Sequence, residues 1–176
     1  MARDLRPLIR DIPDHPTPGI MFRDITPLLA DGAAFADTVE AFAAPHRDAQ
    51  GAATVRAVVG IEARGFILAA PVAVALGVGF VPIRKSGKLP HTTVGAAYDL
   101  EYGQAEVEIH TDGLTSGDRV LLVDDVLATG GTAAAACRLI AQLGGEVAEV
   151  AVLIELPALG GRARLDGPGV RSLVRL

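Results

Sequence analysis

The sequence predicts an α/β fold in which a doubly wound parallel sheet carries helices on both faces. Short uncharged runs typical of buried strands, such as residues 57–61 and 120–123, alternate with apolar residues at helical spacing. Gly and Pro separate these segments. Half of the residues are apolar and only 4% are aromatic, so we expect a core of Ala, Val, Leu and Ile. Strands that alternate with helices favour this architecture.

The N-terminal part is predicted to contain two helices separated by a stiff loop. A short helix is possible over residues 5–11, and the Pro-rich stretch that follows cannot be helical. Phe35, Val39 and Phe42 recur at helical spacing, which predicts an amphipathic helix ending near the next proline.

The middle of the chain is predicted to contain two core strands, at residues 57–61 and 80–83, joined by a helix that ends near residue 76. The uncharged run over residues 66–83 has the length of a membrane span. Internal glycines and prolines divide this run, so we predict a buried helix followed by a strand.

The C-terminal half is predicted to begin with a long mobile loop, because residues 86–97 are polar and short of apolar side chains. The remaining elements are a hairpin of residues 98–102 and 105–110, the strand at 120–123 with a helix after it, a strand at 147–154, a short helix at 158–165 and a last strand at 170–174.

The stretch over residues 120–136 has the composition of an anion site. Asp124 and Asp125 stand where its strand should end, and a helix is predicted after a short loop of small and hydroxylated residues: Ala128, Thr129, Gly130, Gly131 and Thr132. Backbone N–H groups of such a loop converge on one point at a helix N-terminus, where the dipole favours negative charge. Carboxylates accept hydrogen bonds from vicinal hydroxyls, so a sugar phosphate is the implied ligand.

Other interpretations of this stretch are weaker. The loop lacks the Gly-Lys-Ser/Thr of a nucleotide P-loop, and no G-x-G-x-x-G follows a strand. A solvated acidic turn beside an ordinary Gly-Gly turn is the alternative. The co-occurrence of acids, hydroxyls and glycines in one strand-to-helix turn favours the anion site.

Composition restricts the partners and the compartment. A net charge of −5 and a pI of about 5.3 argue against a general nucleic-acid or membrane-surface binder. The single Cys excludes an internal disulfide and a cysteine metal site, and it suits a reducing cytoplasm. The N-terminus lacks the apolar region of a secretory signal, so we expect a cytoplasmic protein.

The segment VLLVDDVLATGGTA resembles the phosphoribosyl pyrophosphate (PRPP) signature of the type I phosphoribosyltransferases. Four further segments, in order, are similar to the adenine phosphoribosyltransferase family: 16–27 to its N-terminal hood, 60–66 to its pyrophosphate loop, 84–90 to the start of its flexible loop and 98–103 to the end of that loop. This resemblance implies the type I phosphoribosyltransferase fold as one domain over residues 1–176. It also implies a small hood at about residues 1–30 and a flexible catalytic loop at about residues 85–100.

The resemblance implies purine salvage: adenine and PRPP give AMP and pyrophosphate, with Mg²⁺ held mainly by PRPP and water rather than by the protein. We also expect a homodimer, because the apolar content of residues 66–76 is high for one face of a small sheet, and we expect no nucleic-acid or membrane partner. The implied catalytic residues are Glu101, Tyr102, Arg64 and Lys85. PRPP and AMP would contact Asp124, Asp125, Ala128, Thr129, Gly130, Gly131, Thr132, Arg84 and Lys88, and adenine would contact Met21, Phe22 and Arg23. The resemblance alone predicts a non-proline cis peptide bond, at Glu62–Ala63.

Two other functions stay open at this point. A phosphoribosyltransferase for guanine, hypoxanthine, xanthine or orotate would share the PRPP loop and differ in the hood. A regulator that senses PRPP and binds nucleic acid would need a basic face, which the acidic balance disfavours.

Overall fold

The computed structural model describes residues 3–99 and 103–176. Its regular elements follow the predicted alternation of strands and helices. In chain order they are β1 (Arg10–Ile12), β2 (Phe22–Asp24), α1 (Thr26–Ala30), α2 (Gly32–Ala43), β3 (Ala57–Ile61), α3 (Arg64–Leu76), β4 (Gly79–Lys85), β5 (Thr93–Asp99), β6 (Gln104–His110), β7 (Arg119–Leu127), α4 (Gly131–Gln142), β8 (Glu146–Glu155) and β9 (Gly169–Arg175).

A seven-stranded sheet in the order β5-β6-β4-β3-β7-β8-β9 forms the centre of the fold. The strands from β4 to β9 in that order pair in parallel, as predicted. The hairpin β5-β6 joins the β4 edge antiparallel, so the sheet is mostly rather than wholly parallel. A separate two-stranded antiparallel sheet pairs β1 with β2 near the N-terminus.

Helices cover both faces of the sheet because alternate residues of each strand point to opposite faces. On β3 and β7, Val58 and Leu121 belong to the core shared with α2 and α3. Their neighbours Val59 and Leu122 belong to the core shared with α4. All four side chains are fully buried, which explains why these strands read as continuous apolar runs. The α/β prediction is confirmed.

The uncharged run over residues 66–83 divides into α3 and β4, as predicted. Gly77 ends the helix with a φ of 66°, a left-handed conformation that glycine adopts without steric cost. The helix begins at Arg64, and it includes Pro71. Within the part of the chain that the structure describes, no helix has the length and apolar character needed to cross a membrane.

Three local predictions were wrong. The helix predicted over residues 5–11 is reduced to a 3-10 turn at Arg6–Leu8, because Arg10 and Asp11 belong to β1 and pair with β2. Residues 93–97 belong to β5 instead of a loop, and pairing with β6 compensates for their small side chains. Residues 158–165 form two short 3-10 segments, because Gly160 separates them with a φ of 68°. The antiparallel pairing of the predicted hairpin is confirmed, with a first strand that begins at Thr93 instead of Tyr98. Residues 100–102 of that predicted strand lie outside the described residues.

Candidate active site

The predicted strand–loop–helix unit exists, but its acids lie inside the strand. We expected β7 to end before Asp124, and it continues to Leu127 because β8 pairs with it to that point. Gly130 follows as the N-cap of α4 with a φ of 81°. No side chain caps this helix, which leaves its first N–H groups directed at the loop where an anion would bind.

The loop encloses a small cavity of about 80 Å³. Its walls include all five predicted phosphate-loop residues and one of the acids: Asp124, Ala128, Thr129, Gly130, Gly131 and Thr132. The backbone of Gly161 contacts the loop outside this cavity. A Cβ on Gly130 would lie 2.4 Å from the Gly161 carbonyl oxygen, so only glycine fits at residue 130.

A larger cavity of about 390 Å³ adjoins the loop. It is lined by residues from five elements and their connections: Ile61, Glu62, Ala63, Arg64, Tyr98, Asp124, Asp125, Val126, Ala128 and Thr132. Gly65 lets α3 approach the acids, since a Cβ there would lie 2.8 Å from Asp124 Oδ1. The arrangement places carboxylates beside a phosphate-sized cavity, as a sugar phosphate would need.

Burial makes the two acids costly to ionise together. The pKa of Asp124 lies well above its usual range, because the side chain is desolvated and because Asp125 is next to it. Burial also raises the pKa of Asp125, although Arg64 opposes this with Nε at 2.8 Å from Asp125 Oδ2. The Asp125 backbone N–H donates to Asp124 Oδ1 at 2.9 Å. Ionising Asp124 therefore costs the folded state free energy that the solvated side chain of the unfolded chain does not lose.

We predict that Asp124→Asn stabilises the fold while it weakens PRPP binding. Between the usual Asp pKa and the raised native pKa, the folded state binds a proton that the unfolded state lacks. The free energy of unfolding therefore falls as pH rises through that window, and Asn removes this loss. The melting temperature at about pH 8 should rise by about 2–4 °C for each kcal/mol regained, with a smaller gain at about pH 5.

The same change should raise the KM for PRPP about 10- to 100-fold, because a charged hydrogen-bond acceptor is lost. Calorimetry and steady-state kinetics measure the two effects. Asp112→Asn, at an exposed turn, is the matched control and should change neither. A lower melting temperature for Asp124→Asn at the higher pH would contradict the electrostatic account.

Arg64 joins the acids to the N-terminal segment. Its Cζ lies 4.8 Å from the centre of the Phe22 ring, in the range of a cation–π contact. His15 packs edge-on against the same ring at 5.0 Å. Phe22 is half-buried, and Arg64, which lies over its ring, lines the cavity that holds Asp125.

The segment around Glu62 agrees with the resemblance. The Glu62–Ala63 peptide bond is cis, which confirms that prediction. Glu62 Oε2 accepts a hydrogen bond from Arg84 Nε at 2.7 Å, so the ends of β3 and β4 are tied together. Opposite charges after two neighbouring parallel strands were a signal for this pair that sequence reasoning missed.

A buried carboxylate anchors the connection after β4. Glu108, on β6, accepts hydrogen bonds from the backbone N–H groups of Lys88 and Leu89, each at 2.8 Å. Burial alone would raise the pKa of Glu108, and bonds from the Leu89, Gly87 and Lys88 N–H groups together lower it. The Lys85 and Lys88 side chains are exposed.

The structure brings most, but not all, of the predicted site residues together. Those beside neither cavity are Met21, Phe22, Arg23, Arg84, Lys85 and Lys88, of which Phe22 reaches the site through Arg64. Arg23 instead binds Asp11 across the two-stranded sheet. Glu101 and Tyr102 lie outside the described residues. Sequence reasoning missed Tyr98, which lines the larger cavity, and Gly161.

No protein metal centre was predicted, and the described ranges 3–99 and 103–176 contain no group of three or more His, Cys, Asp or Glu side chains arranged to hold a metal ion. Asp124 and Asp125 are the hard oxygen donors of the larger cavity that stand beside the phosphate loop.

An acid pair followed by a phosphate loop, at the carboxyl end of a central strand in a mostly parallel sheet, is typical of the phosphoribosyltransferases. The family model of a phosphoribosyl transferase domain matches residues 28–166. An adenine phosphoribosyltransferase of Acidothermus cellulolyticus is 61% identical over 168 residues, covering 96% of this chain and 93% of that protein. The chain therefore belongs to the adenine phosphoribosyltransferase family.

Solved structures agree with this assignment. The crystal structure of the adenine phosphoribosyltransferase from Rhodothermus marinus has a TM-score of 0.91 at 47% identity, and the match covers 98% of this chain and 96% of that one. The Saccharomyces cerevisiae enzyme, at 38% identity, has a TM-score of 0.90 with 96% of each chain covered. That structure is a complex with an imino-altritol bisphosphate and adenine.

Proposed function

We propose that this chain transfers the 5-phosphoribosyl group from PRPP to adenine, which gives AMP and pyrophosphate. The observation that carries the proposal is the junction of the acid pair with the phosphate loop in one cavity of about 390 Å³. The bisphosphate and adenine bound by the yeast relative support the same pair of substrates.

In this proposal the residues of β7 and its loop hold the ribose phosphate. Asp124 and Asp125 accept hydrogen bonds from the 2′- and 3′-hydroxyls of the ribose. The backbone N–H groups from Ala128 to Thr132, with the two threonine hydroxyls, bind the 5′-phosphate. Arg64 begins α3 shortly after the end of β3, and Arg84 lies near the end of the neighbouring β4, where cations stabilise the charge that develops on departing pyrophosphate.

The bond from C1′ to pyrophosphate breaks as a bond from the purine nitrogen to C1′ forms, and the purine loses a proton. Glu101 is proposed to stabilise the positive charge on the sugar or to accept that proton, and Tyr102 to donate a hydrogen bond to pyrophosphate. Lys85, at the end of β4, and Lys88, in the connection that follows, are exposed, and closure of this connection over bound substrate would bring them to pyrophosphate.

Mg²⁺ is the proposed cofactor. Asp124 and Asp125 fit it only as one or two oxygen ligands, so the ion would be held mainly by PRPP and water, which is typical of Mg²⁺ sites with phosphate substrates. When bound, it would neutralise charge on the pyrophosphate oxygens. A cytoplasmic location is also proposed. The pKa of the Cys137 thiol is raised by burial to about 11, which suits a structural thiol in a reducing compartment.

A panel of bases tests the function. Pyrophosphate release should be measured with PRPP, Mg²⁺ and, separately, adenine, hypoxanthine, guanine, xanthine and orotate. We expect the highest kcat/KM with adenine. A higher value for any other base would contradict the substrate, and release with none of the bases would contradict the activity. Filter binding with RNA and DNA, run beside this assay, tests the regulator that the sequence left open.

We predict that Phe22 stacks on the purine and that backbone groups of Met21 and Arg23 read the purine edge. Stacking of a base on an aromatic ring contributes about 1–3 kcal/mol, so Phe22→Ala should raise the KM for adenine about 5- to 150-fold. The KM for PRPP should change much less. Ile20→Ala, at an exposed neighbour, is the control. Equal changes in both KM values would show that Phe22 only packs the fold.

We also predict a homodimer in which α3 lies at the interface. Val74 is 81% exposed and Ile67 is 43% exposed, and their spacing places them on one face of the helix. An exposed apolar face of this kind usually marks a partner surface. Light scattering at micromolar protein should give about twice the monomer mass of 18.1 kDa.

Val74→Glu should shift this mass toward the monomer, because the charge would be buried in the interface. Leu176→Glu, at another exposed apolar residue, should leave it unchanged. A monomer mass for the unaltered protein at that concentration would reject the dimer.

A further inference from the structure

The backbone of the phosphate loop packs against the backbone of Gly161, which lies outside the cavity. A Cβ on Gly161 would lie 2.2 Å from the Ala128 carbonyl oxygen and 2.8 Å from the Gly130 backbone N. The two backbones are thus in direct contact, with no side chain between them. Any shift of Gly161 toward or away from the loop would move the atoms that line the small cavity.

The first side chain after this glycine fixes the segment. Arg162 binds Glu155 with both arms of its guanidinium group, from Nε to Oε1 at 2.9 Å and from Nη2 to Oε2 at 2.6 Å. Its Nη1 also donates to the Val170 carbonyl oxygen at 2.6 Å. A two-armed contact of this type fixes orientation as well as distance. Because Gly160 and Gly161 have no side chains of their own, Arg162 is the first that can hold this turn.

The carboxylate at the other end of the contact is itself firmly placed. Glu155 is 2% exposed, and Ser172 Oγ donates to its Oε2 at 2.6 Å. Glu155 pairs with Leu127 at the last register position between β7 and β8, directly before the phosphate loop begins. Hydrogen bonds from Arg162 lower the pKa of Glu155 to about 2, so the carboxylate is ionised throughout the neutral range.

We propose that Arg162 is a positioning residue that holds Gly161 against the phosphate loop and thereby sets the affinity of the loop for the 5′-phosphate. The chain of contacts runs from Glu155 at the end of β8 through Arg162 to Gly161 and the loop. Arg162 lines neither cavity of the site, so its effect must pass through the loop backbone. This inference rests on the proposed function, because it assigns the loop to a ribose phosphate.

Arg175 offers a matched control. Its Nε lies 3.4 Å from the same Glu155 Oε2, but Arg175 is on β9 and has no backbone link to the loop. Both Arg162→Met and Arg175→Met remove a cation from Glu155. Only Arg162→Met removes the side chain that holds Gly161 in place. A loss that came from general destabilisation around Glu155 would appear in both variants.

The test compares ribose 5-phosphate binding, by titration calorimetry, with the KM values for PRPP and adenine in the full chain. For Arg162→Met we expect a rise of at least about tenfold in the Kd of ribose 5-phosphate and in the KM for PRPP. The KM for adenine should change less than about threefold, since the hood is not displaced. Arg175→Met should leave all three constants within about twofold, because a surface ion pair contributes little.

A Kd for ribose 5-phosphate that Arg162→Met leaves unchanged would overturn the proposal, and so would equal losses in the two variants. If Arg162→Met does not fold, Arg162→Lys and Arg175→Lys decide by the same criterion, because lysine keeps the charge and loses the two-armed contact. Failure of the unaltered protein to bind ribose 5-phosphate would overturn the proposed function itself, which separates the two claims.

Discussion

Gly130→Ala should reduce kcat/KM for PRPP at least about 100-fold, the loss expected when a loop is displaced by about 1 Å. Gly130 has a φ of 81°, a conformation that costs a non-glycine residue about 1–2 kcal/mol. A Cβ there would also lie 2.4 Å from the carbonyl oxygen of Gly161. Since the obstacle is backbone, the new methyl group must move the loop away from the geometry that binds phosphate.

Gly77→Ala is the control that distinguishes the effect of the steric clash at Gly130 from the effect of backbone strain alone. Gly77 also has a positive φ, 66°, but a Cβ there meets nothing within 4 Å. This variant should lose about 1 kcal/mol of stability and keep its activity. Steady-state kinetics and thermal unfolding of both variants make the comparison. A folded Gly130→Ala variant with nearly normal kcat/KM would show that the loop does not need its present contact with Gly161.

Glu101→Gln should lower kcat at least about 100-fold, the low end for a positioned acid–base group, with little change in the KM for PRPP. The substitution removes the charge at nearly constant shape. Although Glu101 lies outside the described residues, Tyr98 lines the cavity that holds the acid pair, so β5 reaches the site three residues before Glu101. A carboxylate near the ribose would offset the positive charge that develops at C1′.

Glu106→Gln is the matched control for this experiment, because Glu106 is an exposed residue of the same hairpin and its carboxylate lies over Gly95 on the partner strand. It should keep kcat near the unaltered rate. Single-turnover measurements would then show whether the Glu101→Gln defect is in the chemical step. If Glu101→Gln turns over at the normal rate and Asp125→Asn does not, Glu101 has no catalytic role and catalysis depends on β7 and its loop.

The core of the sheet was predictable because its signals are local. The buried runs of β3 and β7 carry apolar residues on both faces, and the glycines of the phosphate loop follow at the next turn. Strand β5 gave no such signal. Gly95, Ala96 and Ala97 are small, and their stability as a strand comes from pairing with β6, which a local pattern does not contain.

The contacts that complete the site were harder to predict because they join distant parts of the chain. Gly161 touches Ala128 and Gly130, and nothing in its neighbouring sequence indicates that approach. Asp124 and Asp125 were predicted to stand at the end of the strand, but they lie within β7, since the length of β7 depends on how far β8 continues beside it. The sequence shows which residues carry charge, but how deeply each charge is buried depends on tertiary packing.

The most direct test of the account is a competition in one tube. The protein is incubated with PRPP, Mg²⁺ and an equimolar mixture of adenine, hypoxanthine, guanine, xanthine and orotate, and the nucleotides are separated and quantified together with pyrophosphate. We expect AMP as the product, formed in a one-to-one ratio with pyrophosphate. Predominance of another nucleotide, or release of pyrophosphate without any nucleotide, would contradict it.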